Sequence, residues 1–513
     1  MNKAPSLTDF KNPSITTLHL TWIAFFLTFV VWFNVAPILT ELLEQFDWLT
    51  KQNVKSLILC NVALAIPARV VVGNLIDRYG PRKIFAGLMV IMLIPGLMFS
   101  FGNTLAQLTF SRLFLGMIGA GFVIGIKMTA NWFTPKYIGR AEGFYAGWGN
   151  FGSAAAAAMV PFLAISIIGG ENGWRWSLAI TSIICALYGV FYFFAVEDHP
   201  EGVNVEEKKG KLEPMPITSY IDLAQYYFWQ FPLFGAIGLV VYNIHKQTVD
   251  GQAMISWTVV YILWSVLFLI WLADVVKVTT HNLPKLKTGY PEKEKYHFAS
   301  IGALNSTYFA NFGAELAIVS MLPMFFYDVF SSLLNASGER IMTLQLAGLV
   351  AGSFALINLV ARPLGGLISD KMGNRKRTMM MYMGGIVLGF FLMATIAKYG
   401  PVNAEGIITL VPQFNSMAWL GVSIAITMFA SFFVQGAEGA TFAMIPTIKR
   451  DLTGRIAGMA GAYGNVGAVS YLFLYTFVDD KTFLYVLSFG AFLSLIYTAF
   501  ALDEPKGAFE DHL

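Results

Sequence analysis

The sequence predicts an all-α polytopic membrane protein: two six-helix halves in parallel pseudo-two-fold repeat, plus two inserted hydrophobic helices between them, 14 spans in all. Three observations predict it. The 513-residue chain is 56% hydrophobic and only 13% charged, against about 25% charged for a typical soluble domain, so it has too little polar surface to cover itself in water. Apolar runs of 18 or more residues recur along it. Each is long enough to cross a bilayer core of about 30 Å, and each is continuous rather than alternating, which selects helices over a barrel. Finally, the second half of the chain repeats landmarks of the first.

Taken in order, the runs fall near 18–40, 54–76, 84–102, 105–130, 141–167 and 175–196. A polar stretch, "EDHPEGVNVEEKKGKLEPMPITSYID", separates these from two uncharged runs near 225–244 and 255–273. A second polar segment, "HNLPKLKTGYPEKEKYH", precedes six more, near 298–328, 341–369, 378–397, 416–447, 456–478 and 482–502. The domains expected are therefore a tail over 1–17, a first half over 18–197, a central linker with its two helices over 198–297, a second half over 298–502 and a tail over 503–513. An even number of inserted spans lets both halves share one orientation. The inserted runs carry no central charge, so a peripheral hairpin without a transport role is expected. Cys60 and Cys185 fall inside spans and read as two buried thiols rather than a disulfide or metal site. The run from Leu18 is too long for a cleaved signal peptide and reads as a retained span.

The loops "DRYGPRK", "PKYIGR", "DKMGNRKR" and "IKRDLTGR" are short and basic and all fall on one side. By the positive-inside rule that side is cytoplasmic, with both termini, in an inner (cell) membrane.

The repeat is specific. "ARVVVGNLIDRYGPRK" (68–83) and "ARPLGGLISDKMGNRK" (361–376) agree at seven of sixteen ungapped positions, among them Arg69/Arg362, Asp77/Asp370 and Arg82/Arg375. "GRAEGFYAGWGNFGSA" (139–154) and "GRIAGMAGAYGNVGAV" (454–469) share Gly149/Gly464, Asn150/Asn465 and Gly152/Gly467. The first pair lies in the second span of each half, the other in the fifth. Such parallel repeats are typical of secondary transporters, with the substrate at the midplane between halves.

Depth singles out residues. Arg69 and Arg362 each precede the loop aspartate by eight residues, about 12 Å into the membrane at 1.5 Å per residue. Asn150 and Asn465 each follow a loop arginine by ten, about 15 Å in. An arginine at that depth costs about 2.5–3.5 kcal/mol on insertion scales, so it faces protein or a cavity rather than lipid. A buried ion pair would explain one arginine. A symmetric pair, with carboxylates too few to neutralise every cation, points to anion capture, because the guanidinium is a planar fork that keeps its proton. Gly147, Gly149, Gly152, Gly461, Gly464 and Gly467 let helices pack closely, while the Asp77–Arg82 and Asp370–Arg375 loops read as a gate latch across the cytoplasmic interface. Lys127, Glu315 and Glu438 also lie at mid-depth and form either a static ion pair or a proton relay.

"GNLIDRYGPRK" and "GGLISDKMGNRK" resemble the loop motif of the major facilitator superfamily. The paired glycine–asparagine motifs with Arg69 and Arg362 resemble its nitrate/nitrite porter family, over essentially the whole chain except the central insert. The resemblance implies the major facilitator fold, alternating access, and nitrate and/or nitrite as substrate. It implies Arg69, Arg362 and Asn150 as substrate residues and, in "STYFANFGAE", Tyr308 and Phe312 as a pair that bonds and stacks on the anion; Asn465 joins them by symmetry. Where an aromatic lid is expected in the fourth span, Phe122 and Val123 stand at an unsettled alignment.

Coupling stays open at this level. Glu315 and Glu438 would serve proton symport, with Arg112 in "SRLFLGMIG" faintly resembling a motif of proton-coupled relatives; nitrate/nitrite exchange needs no titratable group. Formate or phosphate are alternative substrates, although a tetrahedral ion suits a flat clamp poorly. A membrane anion sensor would need a soluble output domain, and the last span is followed by "DEPKGAFEDHL". There is no HExxH, GxSxG, P-loop or metal-spaced histidine cluster, so no enzyme, metal, cofactor or nucleic-acid partner is expected, and the protein reads as a monomer in the lipid bilayer.

Overall fold

In the computed structural model, which describes residues 6–133, 135–200, 214–249, 251–291, 294–402, 408–449 and 452–504, every predicted apolar run is helical. Thirteen segments among the described residues are long and apolar enough to cross a membrane. The remaining run is the 23-residue helix Thr453–Tyr475, about 35 Å long by the helical rise. Its five glycines, Arg455 and Asn465 lower its hydropathy because it packs on protein: a Cβ on Gly467 would sit 2.2 Å from the Phe309 carbonyl oxygen.

The second span of each half breaks near mid-depth. Lys51–Ala63 gives way at Leu64 to Ala65–Tyr79, and Leu344–Leu356 gives way at Ile357 to Asn358–Met372. Each break is followed by a proline, Pro67 or Pro363, which cannot donate to the helix ladder. Arg69 and Arg362 stand five residues after Leu64 and Ile357 respectively, so the repeat extends to backbone irregularity. Non-helical backbone at membrane depth is tolerated where it is buried in protein or lines a cavity.

On the face away from the termini the halves are joined. Lys51 Nζ lies 2.6 Å from Asp328 Oδ2, and Gln345 Nε2 donates to Ser166 Oγ at 2.8 Å. A two-stranded hairpin, Ala397–Val402 paired antiparallel with Ile408–Pro412, also caps this face, and sequence periodicity did not foresee it.

The basic loops are held by contacts within each half. Gly80 and Gly373 take positive φ, +83° and +60°, which turns the chain sharply into the third span of each half. The Asp198 carboxylate, just past the sixth span, accepts from Arg82 N at 2.7 Å, and Arg82 Nη1 lies 2.8 Å from Glu197. In the second half Glu504 accepts from Arg375 N (2.9 Å) and Lys376 N (2.7 Å), while Arg375 Nη1 donates to Ser369 Oγ at 3.0 Å. Carboxylates thus cap the N-termini of two corresponding helices, where the backbone N–H groups and dipole favour negative charge. These contacts lie within each half rather than across the interface. The Asp77 and Asp370 side chains lie outside the described residues.

Of the inserted pair, only the second helix, Trp257–Thr288, is peripheral. Just 6% of its most apolar window is buried. The first, Tyr220–Lys246, packs on the second half through Trp229 against Tyr463, ring centroids 5.0 Å apart. At its end Gln247 accepts from Asn53 Nδ2 and donates to Ser56 Oγ, both at 2.7 Å, so the hairpin touches both halves.

Glycine packing gives a direct test of this arrangement. A Cβ on Gly149 would lie 1.8 Å from Phe25 Cδ1, whereas one on Gly143 meets nothing within 4 Å. Gly149→Ala is expected to lower the melting temperature of detergent-purified protein, since overpacking costs about 1–3 kcal/mol. Gly143→Ala should leave it unchanged; equal melting of the two variants would contradict the close contact of the first and fifth spans.

Candidate functional site

Arg69, on the re-formed half of the second span, is 5% exposed, and Arg362 is 4% exposed. The Arg69 guanidinium lies 5.5 Å from the Phe122 ring centroid and 5.6 Å from that of Phe312. The Arg362 guanidinium lies 5.8 and 5.9 Å from the same two rings. Two cations from opposite halves therefore converge between one pair of aromatic faces, within cation–π range. Phe122 supplies the fourth-span aromatic whose alignment the sequence left open.

The two arginines differ in their partners. Arg69 Nη1 donates to the Gly461 carbonyl at 2.8 Å and Nε to Gly119 at 3.3 Å. With its oxygen turned toward the guanidinium, Asn465 also accepts from Nη1 at 2.8 Å and Nε at 3.3 Å. Nη2 has no partner, and among the described residues no carboxylate pairs with Arg69. Arg362 Nη2 donates to Tyr308 OH at 3.1 Å. Its Nη1 lies 3.0 Å from Glu438 Oε2, an ion pair by distance in which the N–H is not aimed at the oxygen, so neither atom counts as hydrogen-bonded. Glu438 is fully buried, as is Glu315 at 2% exposure, and Glu315 Oε1 accepts from Asn358 Nδ2 at 2.5 Å.

Two expectations change here. Carboxylates are not too few: Glu438 sits on Arg362, with Glu315 close by. Lys127 is not their partner. In Gly121–Trp132 the buried face carries Gly121, Ile124, Gly125 and Met128, and Lys127 projects from the opposite, exposed face with Ala130. Arg362 takes the cationic role that mid-depth alone assigned to the lysine.

Tyr308 and Phe312 stack on one another, 5.1 Å apart and 10° from parallel, and Phe442 stands edge-on to Tyr308 at 5.2 Å. Gly464 makes room for the stack: a Cβ there would lie 2.4 Å from Phe312 Cδ1 and 2.9 Å from Tyr308. Gly147 approaches the Asn358 carbonyl, 3.2 Å from a Cβ, and Gly461 faces Arg69 Nη1 at 3.9 Å. Gly152 abuts the Phe26 carbonyl at 2.2 Å. Asn150 is 0% exposed, yet neither its oxygen nor its nitrogen has a partner. A buried amide in that condition costs about 1–3 kcal/mol, which a polar ligand would relieve.

Sequence reasoning missed Asn358 and Phe442. Asn358 had a signal, since it lies four residues before Arg362 and therefore on the same helical face. Phe442, one apolar residue among many in its span, had none.

A family model described as Major Facilitator Superfamily matches residues 21–249 and 232–471. The chain is 39% identical over 496 residues to the nitrate/nitrite transporter NrtP of Nostoc punctiforme, covering 96% of this chain and 93% of the relative. It is 37% identical to a nitrate/nitrite transporter NrtP from a Picosynechococcus species, over 96% and 94% of the two chains. Among solved structures, the inward-open xylose transporter XylE from E. coli superposes with a TM-score of 0.61 at 14% identity, over 97% of this chain and 99% of that one; this likeness concerns the fold. The parallel repeat, the multi-pass bundle and the extent of these matches lead to one assignment: the chain belongs to the nitrate/nitrite porter family of the major facilitator superfamily, whose members are transporters and not enzymes.

Proposed function

We propose that the protein moves nitrate and/or nitrite across the cytoplasmic (inner) membrane by alternating access, as a monomer with both termini in the cytoplasm. Arg69 and Arg362 bind the anion's oxygens from opposite halves, Asn150, Tyr308 and Asn465 orient it, and Phe312 packs on its face with Phe122 opposite. The observation that carries this reading is the placement of both guanidiniums between the same two rings, one of them with no carboxylate partner among the described residues. A planar, delocalised anion matches two planar forks and two flat aromatic walls.

Charge balance favours proton coupling. With Arg69, Arg362, Glu315 and Glu438 all ionised the site is neutral, and an entering anion leaves a net negative charge in a buried space. Uncompensated buried charge is strongly disfavoured. A proton taken up with the anion restores neutrality and releases Arg362 from Glu438. Exchange of one anion for another would instead keep the site occupied throughout the cycle.

The deciding experiment is nitrate uptake into proteoliposomes at clamped potential, with an inward proton gradient and, separately, with internal nitrite. Stimulation by protons alone is expected. Stimulation by internal nitrite alone would make the protein an exchanger and the Glu–Arg set structural. No uptake under either condition would refute nitrate as the substrate.

A further inference from the structure

One buried cation takes no part in the site above. Arg112, in Leu105–Leu115 of the fourth span, is 4% exposed. Its Nη2 donates to the Trp32 carbonyl at 3.0 Å, one of the orphan carbonyls at the end of Pro13–Phe33 that helix termini leave open. That bond is a structural strut and accounts for half of the guanidinium. Nη1 has no partner, and among the described residues no carboxylate pairs with Arg112. Around it stand the buried Cys60 thiol, the Phe99 ring at 5.5 Å and the neutral side chains of a small cavity.

That cavity lies between the halves. Phe33, Ala36, Leu57, Asn61 and Arg112 line it from the first half, and Ser320 closes it from the second. Three helices place it at one depth. Asn61 precedes Arg69 by eight residues, Arg112 precedes Gly119 by seven, and Ser320 follows Phe312 by eight. At 1.5 Å per residue each offset is about 10–12 Å, always toward the face away from the termini, where Lys51–Asp328 joins the halves. The cavity thus lies between the halves, about 10–12 Å nearer that face than the paired arginines.

We propose that Arg112 and this cavity form an outer anion station, the first contact of a small monovalent oxyanion on its way to Arg69 and Arg362. This rests on the anion-transport reading above. A desolvated cation without a counter-charge focuses the field in a low-dielectric cleft and raises the local anion concentration. Here the halves close on the station; when they part on that face, Arg112 Nη1 is the donor presented to the entering ion. The station acts on entry from one face only, which a strut does not.

The test is nitrate counterflow in sidedness-controlled vesicles, with KM measured separately for each face. The wild type must transport nitrate; if it does not, the functional reading fails and this inference is not reached. In Arg112→Gln, KM for entry from the face away from the termini is expected to rise about tenfold, with KM at the terminal face unchanged. Arg112→Lys should recover part of the loss. Should Arg112→Gln fail to fold, Ser320→Asp decides. It leaves the Trp32 strut intact and adds a resident carboxylate from the opposite half, so KM at the same face should rise alone. Equal rises at both faces, or none at either, would overturn the station and leave Arg112 a strut.

Discussion

Arg69→Lys and Arg362→Lys are each expected to lower nitrate affinity about 10- to 100-fold while leaving folding intact. The charge survives in both variants, so what is lost is the fork. A hydrogen bond to a charged group is worth about 1.5–3 kcal/mol, and about 1.36 kcal/mol is tenfold in affinity, so losing one such bond accounts for the range. The lysines should differ. Arg69 is held by two backbone carbonyls and Asn465, and a flexible ammonium keeps at most part of that set, so Arg69→Lys also loosens the position of the charge. Arg362 is held against Glu438 and Tyr308, contacts that a point charge partly reproduces. Arg69→Gln is expected to be the harshest variant, because among the described residues no carboxylate pairs with Arg69. Nitrate-dependent thermal shift of the purified protein reports affinity, since a ligand that binds only the folded state stabilises it in proportion to ln(1 + [L]/Kd). Initial uptake rates in proteoliposomes report flux. Wild-type affinity and flux in both lysine variants would show that a planar clamp is the wrong picture.

What the sequence revealed about this site, and what it hid, follows from the kind of information each residue carries. The arginines and asparagines were legible because a polar residue in an apolar run is costly and a costly residue that repeats at fixed spacing in both halves has a cause. The glycine motifs were legible for the same reason, and Gly149 and Gly467 do meet neighbouring helices at distances no Cβ allows. Lys127 misled because depth counts residues along one helix and is blind to rotation about it. Its rise matches that of the buried Glu438, but its azimuth points away. Phe442 was hidden by abundance: with 44 phenylalanines in the chain, identity alone marks none of them, and Phe122 could be marked only together with Val123 because the alignment of the fourth span was unsettled. The contacts that hold the basic loops were out of reach because Asp198 and Glu504 belong to chain segments over a hundred residues from Arg82 and Arg375, and only the fold brings them together. The Arg362–Glu438 pair was likewise out of reach, since nothing in spacing tells which of several buried charges meet.

That pair makes the sharpest mechanistic prediction. Glu438→Gln removes the carboxylate paired with Arg362, which on the proposed function competes with nitrate for it. If an entering anion must displace Glu438, and a proton must then settle on it, the amide imitates the protonated state permanently. The variant should bind nitrate at least as tightly as the wild type, retain counterflow, and lose acceleration by an inward proton gradient. It should also be less stable without ligand, because breaking a buried ion pair leaves an uncompensated charge at a cost of about 3–5 kcal/mol. Nitrate then supplies the missing counter-charge, so its stabilising effect on melting temperature should exceed that in the wild type. Glu315→Gln separates the two carboxylates. Glu315 accepts from Asn358 and forms no close ion pair with Arg362, so its amide variant should cost less ligand-free stability than Glu438→Gln while still altering the proton dependence. If Glu438→Gln keeps the wild-type response to a proton gradient, Glu438 is a fixed counter-ion, and the balance of two arginines against two glutamates is a feature of folding rather than of coupling.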